Sequence, residues 1–105
     1  MPLDDTTRDR LEAAAFRRLT ALLRARTDVQ NVYLMGTGGF CRNCLSDWLA
    51  EAADEAGIAM SKEEARAHVY GMSYADYKAT HQTAATPEQL AAMDASVARN
   101  RAVGA

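Results

Sequence analysis

The sequence predicts an all-α fold, and three observations carry that prediction. Apolar residues recur at helical spacing along most of the chain. Cap and stop residues fall between those periods rather than inside them. No segment shows the sustained apolar–polar alternation of a half-buried strand. The expected architecture is a compact bundle of about five short-to-medium helices in one domain over residues 1–105, with residues 1–5 and 100–105 frayed.

Asp4, Asp5, Thr6 and Thr7 supply caps and early negative charge for a first helix that runs uninterrupted to about Arg26. At 100° per residue, Leu11, Ala15, Leu19, Leu22 and Leu23 share one face with Phe16 at its edge. Arg10, Arg17 and Arg24 line the opposite side, which reads as a solvated face before it reads as an anion site. Thr27-Asp28 caps a short helical turn over Val29–Met35, and Gly36-Thr37-Gly38-Gly39 is expected to break the chain. Those glycines are no phosphate loop, because the Lys-Ser/Thr such a loop needs is missing.

A further helix is expected from about Phe40 to Ala56, ending at Gly57, with Cys41, Leu45, Trp48, Leu49, Ala52 and Ala56 inward. Ser61-Lys62-Glu63-Glu64 is a capping box for a helix that stops at Gly71. Ser73 with Asp76 opens another, through about Gln82. Thr86-Pro87-Glu88-Gln89 starts the last, which should bury Leu90, Met93 and Val97 and fray toward Gly104.

Composition narrows the class. An apolar fraction of 49% with only 7% aromatics gives a core of small and aliphatic side chains. Such a core is thin, at roughly 25 cal/mol per Å² of apolar area buried, so a homodimer is expected to supply the rest. A net charge of −2 speaks against nucleic-acid binding, which draws on a positive excess. No apolar run is long enough for a membrane span, and no secretory signal precedes the first helix. A cytoplasmic location is expected, where two cysteines act as free thiols, metal ligands or a redox pair.

Those cysteines form the only constellation above background. Cys41 and Cys44 stand two residues apart where a helix begins, and unpaired N–H groups there favour a thiolate. Arg42 adds positive charge between them, beside Asn43. The spacing suits one metal ion or one disulfide. On the other side, Cys41 falls on the apolar face and is accounted for by packing, which would raise its pKa, leaving Cys44 as the accessible thiol.

A thioredoxin-like reading lacks the preceding strand. Zinc needs about four ligands. His68 and His81 could complete a set with Cys41 and Cys44 but show no ligand spacing, and two cysteine pairs meeting across a dimer axis are the simpler route. The histidines otherwise read as structural, His81 on a face shared with Tyr74 and Tyr77. Met35, Met60, Met72 and Met93 read as gap-fillers, too scattered for a methionine-rich metal box.

The stretch Arg26-Thr27-Asp28-Val29-Gln30-Asn31 and the run Gly39-Phe40-Cys41-Arg42-Asn43-Cys44-Leu45-Ser46 with Trp48 resemble a family of short bacterial proteins. So do Tyr70-Gly71-Met72, Gln82-Thr83 and Ala85-Thr86-Pro87-Glu88-Gln89. That family is known as domain of unknown function 1244, and the resemblance spans about Phe16 to Leu90. It implies a compact helical fold and a bacterial source, and no activity. It keeps Cys41, Arg42, Asn43 and Cys44 together, whereas the family pattern has other residue types at His68 and His81. Ser73 and Tyr77 stand where the pattern has Pro and Trp.

Two function classes remain. The first is a helical interaction or regulatory module without legible enzymatic activity, reaching a protein partner or a second copy through Trp48 or through Tyr74 and Tyr77. The alternative is a thiol-dependent module using Cys41 and Cys44 for zinc-type metal binding or redox sensing. A hydrolase or transferase is disfavoured, since no nucleophile, base and orienting group are tied together by sequence.

Overall fold

The computed structural model describes residues 2–105. Among them six helices and no strand are present: α1 (Asp5–Ala25), α2 (Asn31–Gly38), α3 (Arg42–Glu55), α4 (Lys62–Tyr70), α5 (Tyr74–His81) and α6 (Pro87–Ala102). The caps act largely as the sequence requires. Asp4 Oδ1 accepts the Thr7 N–H at 2.7 Å. Ser61 and Glu64, and Thr86 and Gln89, close complete capping boxes, and Ser73 accepts from Asp76.

α4 is central, packing against α1, α3 and α5, while α6 lies along α2. The core joins Leu23, Leu45, Val69, Tyr70 and Tyr77, flanked by Phe16, Leu19, Leu34, Phe40, Leu49 and Tyr74. α1 turns Phe16, Leu19, Thr20 and Leu23 inward. Leu11 and Leu22, expected on the same face, are exposed, because the inward stripe sits about a third of a turn away from them. Nor is the arginine stripe wholly solvated. Arg24 donates from Nε to Val69 O at 3.1 Å and from Nη2 to His68 O, closing the C-terminus of α4.

The glycine run does not break the chain where expected. Gly36, Thr37 and Gly38 are helical, and the stop comes at Gly39, whose φ of 75° lies in the left-handed region. Gly36 permits the close approach of α6: a Cβ there would stand 3.0 Å from Ala92 Cβ. Asn100 donates to Gly39 O at 2.8 Å and ties α6 to the same turn. α2 is capped by Gln30 rather than by Thr27-Asp28, and Asp28 is engaged by Arg26 at 3.0 and 2.9 Å.

α3 is rotated from the expected orientation. Cys41 is its N-cap, and the inward face carries Arg42, Leu45, Ser46 and Ala53, with Leu49 half-buried. Trp48 is 54% exposed, and Ala52 and Ala56 are exposed too. On α6, Ser96 is buried, Met93 and Val97 are half-buried, and Leu90 is exposed.

Candidate functional site

The first turn of α3 organises the site. Arg42 is 1% exposed and forms no ion pair among the described residues, with Asp28 near enough only to feel its charge. Its Nη2 donates to Leu23 O and Arg26 O, both at 2.9 Å, and Nη1 to Val29 O at 2.7 Å and Asn31 Oδ1 at 3.1 Å. The negative end of the α1 dipole thus offsets part of the guanidinium charge. The Tyr77 ring, 5.5 Å away, adds a π face.

From Asn31 a polar chain crosses the molecule. Asn31 Nδ2 donates to Tyr70 Oη at 2.9 Å, Tyr70 Oη donates to Asn43 Oδ1 at 2.7 Å, and Asn43 Nδ2 donates to Tyr74 Oη at 3.3 Å. Burial raises the Tyr70 hydroxyl pKa well above the usual tyrosine range, with the Asn31 hydrogen bond opposing. Tyr70 is therefore a fixed neutral donor. The Tyr74 ring is held by the Arg66 guanidinium at 4.4 Å. Its hydroxyl accepts from Asn43 and donates to no group among the described residues.

Cys41 is buried and Cys44 is partly exposed, both as free thiols, with Sγ atoms 4.0 Å apart. Desolvation pushes the Cys41 thiol up, while the backbone N–H groups of Cys44 and Asn43 pull it down by less. Burial therefore prevails over the helix end. On its other side Cys44 Sγ lies 3.7 Å from Met35 Sδ.

These groups border a cleft of about 360 Å³ where the α2–α6 pair meets α3 and α5. Cys41, Asn31, Asn43 and Tyr74 form part of its wall, with apolar surface from Val32, Met35, Leu90 and Met93. Gln82–Ala85 closes one side. Gln30 holds that segment, donating to His81 O at 2.9 Å and accepting the Thr83 N–H at 3.1 Å.

Residues 29–95, more than half of the chain, match the family described as protein of unknown function, DUF1244. The chain belongs to that family. Among curated proteins, nothing matches. The DUF1244 match takes in every residue that lines the cleft, together with Arg42 and both cysteines, and leaves α1 outside.

Within this DUF1244 chain the structure joins some predicted residues and separates others. Cys41 and Cys44 are neighbours, and Asn43 works beside them. Arg42 does not serve the thiols as expected, since its donors are taken by α1 and Asn31. His68 is exposed and contributes its carbonyl to Arg24. His81 packs at a tilt on Tyr77, 5.3 Å between centroids, on the aromatic face its spacing suggests. Among the described residues, no three of His, Cys, Asp and Glu come together as metal ligands, so neither histidine completes a zinc set with the cysteines.

Sequence reasoning missed the roles of Arg42, Asn31 and Tyr70. A signal existed for Arg42, which precedes Leu45 and Leu49 by three and seven residues and so shares their stripe. Nothing local marks Asn31 and Tyr70, which lie 39 residues apart.

Proposed function

We propose that this protein is a small helical interaction module whose cleft takes an apolar side chain of a partner protein. The Tyr74 hydroxyl then donates to the neighbouring backbone carbonyl of that partner. One observation carries the reading: apolar walls converge on a hydroxyl donor with a free proton. A volume of about 360 Å³ is at the small end for ligand pockets and ample for one large side chain. The polar chain behind Tyr74 pre-organises that donor, which lowers the cost of binding. Two free thiols, Cys41 at the wall and Cys44 beside it, suit a reducing, cytoplasmic setting, and among the described residues no helix is long and apolar enough to cross a membrane.

The test is an amide-resolved NMR titration with N-acetyl-leucine amide, an apolar side chain between two peptide groups. Shifts should cluster at Val32, Met35, Leu90 and Met93, with a Kd of about millimolar for so small a probe. Tyr74→Phe should weaken it several-fold. Shifts scattered over the surface, or equal binding by an Ala84→Trp variant that fills the cleft, would sink the reading.

In the same reading the chain is a homodimer. Leu11 and Leu22 lie three turns apart on one side of α1, both exposed. The N-terminal half of α1 buries no residue within the chain. A helical stretch that short is marginal in water without a covered face, and a second copy supplies one. Light scattering should give twice the chain mass, and Leu11→Glu should halve it; a wild-type monomer excludes the dimer.

A second reading, a thiol switch, is favoured by the 4.0 Å between Cys41 and Cys44. Glutathione disulfide would accept the two electrons: one thiolate forms a mixed disulfide, and the other displaces reduced glutathione to close the Cys41–Cys44 bond. Loss of two titratable thiols without retained glutathione, reversed by dithiothreitol, is the expected result. Retained glutathione or unreacted thiols would exclude it.

A further inference from the structure

We infer that Cys41, Cys44 and Met35 form a three-sulfur site for a soft monovalent cation of the copper(I) class. The inference does not rest on the partner proposed for the cleft, although Met35 and Cys41 belong to its wall. Methionines read from sequence as gap-fillers, yet the fold brings Met35 Sδ to 3.7 Å from Cys44 Sγ, which is itself 4.0 Å from Cys41 Sγ. Two sulfurs each about 2.3 Å from one ion stand about 3.8–4.0 Å apart at tetrahedral to trigonal angles. Both observed separations are close to that span, and Met35 and Cys41 line one cleft, so rotation of the side chains about Cys44 is what would close the three sulfurs on one ion.

The donor set selects the metal. Two thiols and a thioether, with no carboxylate or imidazole joining them among the described residues, suit copper(I) rather than zinc or a hard cation. Charge supports the same class. Two thiolates and one monovalent ion leave a net negative charge at the N-terminus of α3, a fourteen-residue helix without a side-chain cap bond. The dipole and the Cys44 and Asn43 N–H groups, which already act on Cys41 Sγ, offset part of the cost of burying an anion there. Binding forms two thiolate–metal bonds and releases the two thiol protons to solvent, so affinity should rise with pH. Met93 lines the same cleft as Met35 and Cys41, keeping the surroundings apolar.

The experiment is anaerobic titration of the reduced full chain with copper(I), in competition with bicinchoninate. Wild type should take one ion per chain and show a thiolate-to-copper ultraviolet band. Met35→Leu is volume-conserving; it should keep the wild-type circular dichroism and bind at least about tenfold more weakly. Cys44→Ser should abolish the band. Copper left with the chelator overturns the site, as does wild-type affinity in Met35→Leu. One ion per two chains would overturn it in favour of thiolates shared between copies.

Discussion

The Arg42 guanidinium stands 2.9 Å from the carbonyl oxygen of Leu23, nineteen residues earlier in the chain. That bond, with its companions to Arg26 and Val29, fixes the start of α3 against the end of α1. The two thiols flanking Arg42 inherit their positions from it.

Removing this arginine should cost more than any other single change at the site. Arg42→Met leaves buried carbonyls without donors, and a loss of about 3–5 kcal/mol is expected in urea unfolding. Arg42→Lys keeps the charge but cannot reproduce the planar fork, and should still lose about 2 kcal/mol. Near-wild-type stability in either variant would show that the guanidinium is not what joins α1 to α3.

Gly36→Ala sets helix propensity against packing. Alanine favours the helix by about 0.5–1 kcal/mol, but its Cβ would meet Ala92 Cβ at 3.0 Å. Overpacking typically costs about 1–3 kcal/mol, so a net loss in thermal stability is expected. Ala92→Gly in the same chain should recover part of it. A double-mutant cycle without coupling would mean that α2 and α6 separate freely.

Tyr77 is buried, and its hydroxyl has no hydrogen-bond partner among the described residues. Tyr77→Phe removes that unsatisfied group and keeps the ring against Tyr70, 4.6 Å away between centroids. Stability should stay the same or rise by up to about 1 kcal/mol. A clear loss would point to a buried water bound by the hydroxyl.

Alkaline pH should destabilise the fold, and the sign follows from Cys41 and Tyr70. Burial raises both pKa values above their unfolded values. The native state then holds protons that the unfolded chain releases, so stability falls as pH rises. The decline should begin above about 8.5 from Cys41 and steepen above about 10 from Tyr70. Cys41→Ala should flatten the first part of the melting-temperature profile. An unchanged profile would place the effect elsewhere.

The helical class, the two capping boxes, the Gly71 stop and the neighbouring cysteines were legible because each depends on residues within a turn or two of one another. Periodicity is weaker on α3, where Trp48, Ala52 and Ala56 and the observed Arg42, Ser46 and Ala53 are alternative stripes that both include Leu45, while Cys41 is buried as its position suggested. An arginine is not counted as apolar, so the pattern favours the wrong one. The same limit hid the division of α1 between an inward stripe and the exposed Leu11 and Leu22.

By itself, then, the sequence determined local order: where helices start, where most of them stop, and that two thiols share a helix end. Tertiary structure decided which face of α3 turns inward, because four acceptors at the end of α1 and beside it outweigh the cost of burying a guanidinium. It also decided that Gly36 is a helix contact rather than a break, since only α6 at close range makes a missing Cβ useful. The meeting of Met35 with Cys44, and of Asn31 with Tyr70, is of the same kind. Those contacts depend on chain segments brought together by packing, which residue spacing along one helix does not encode.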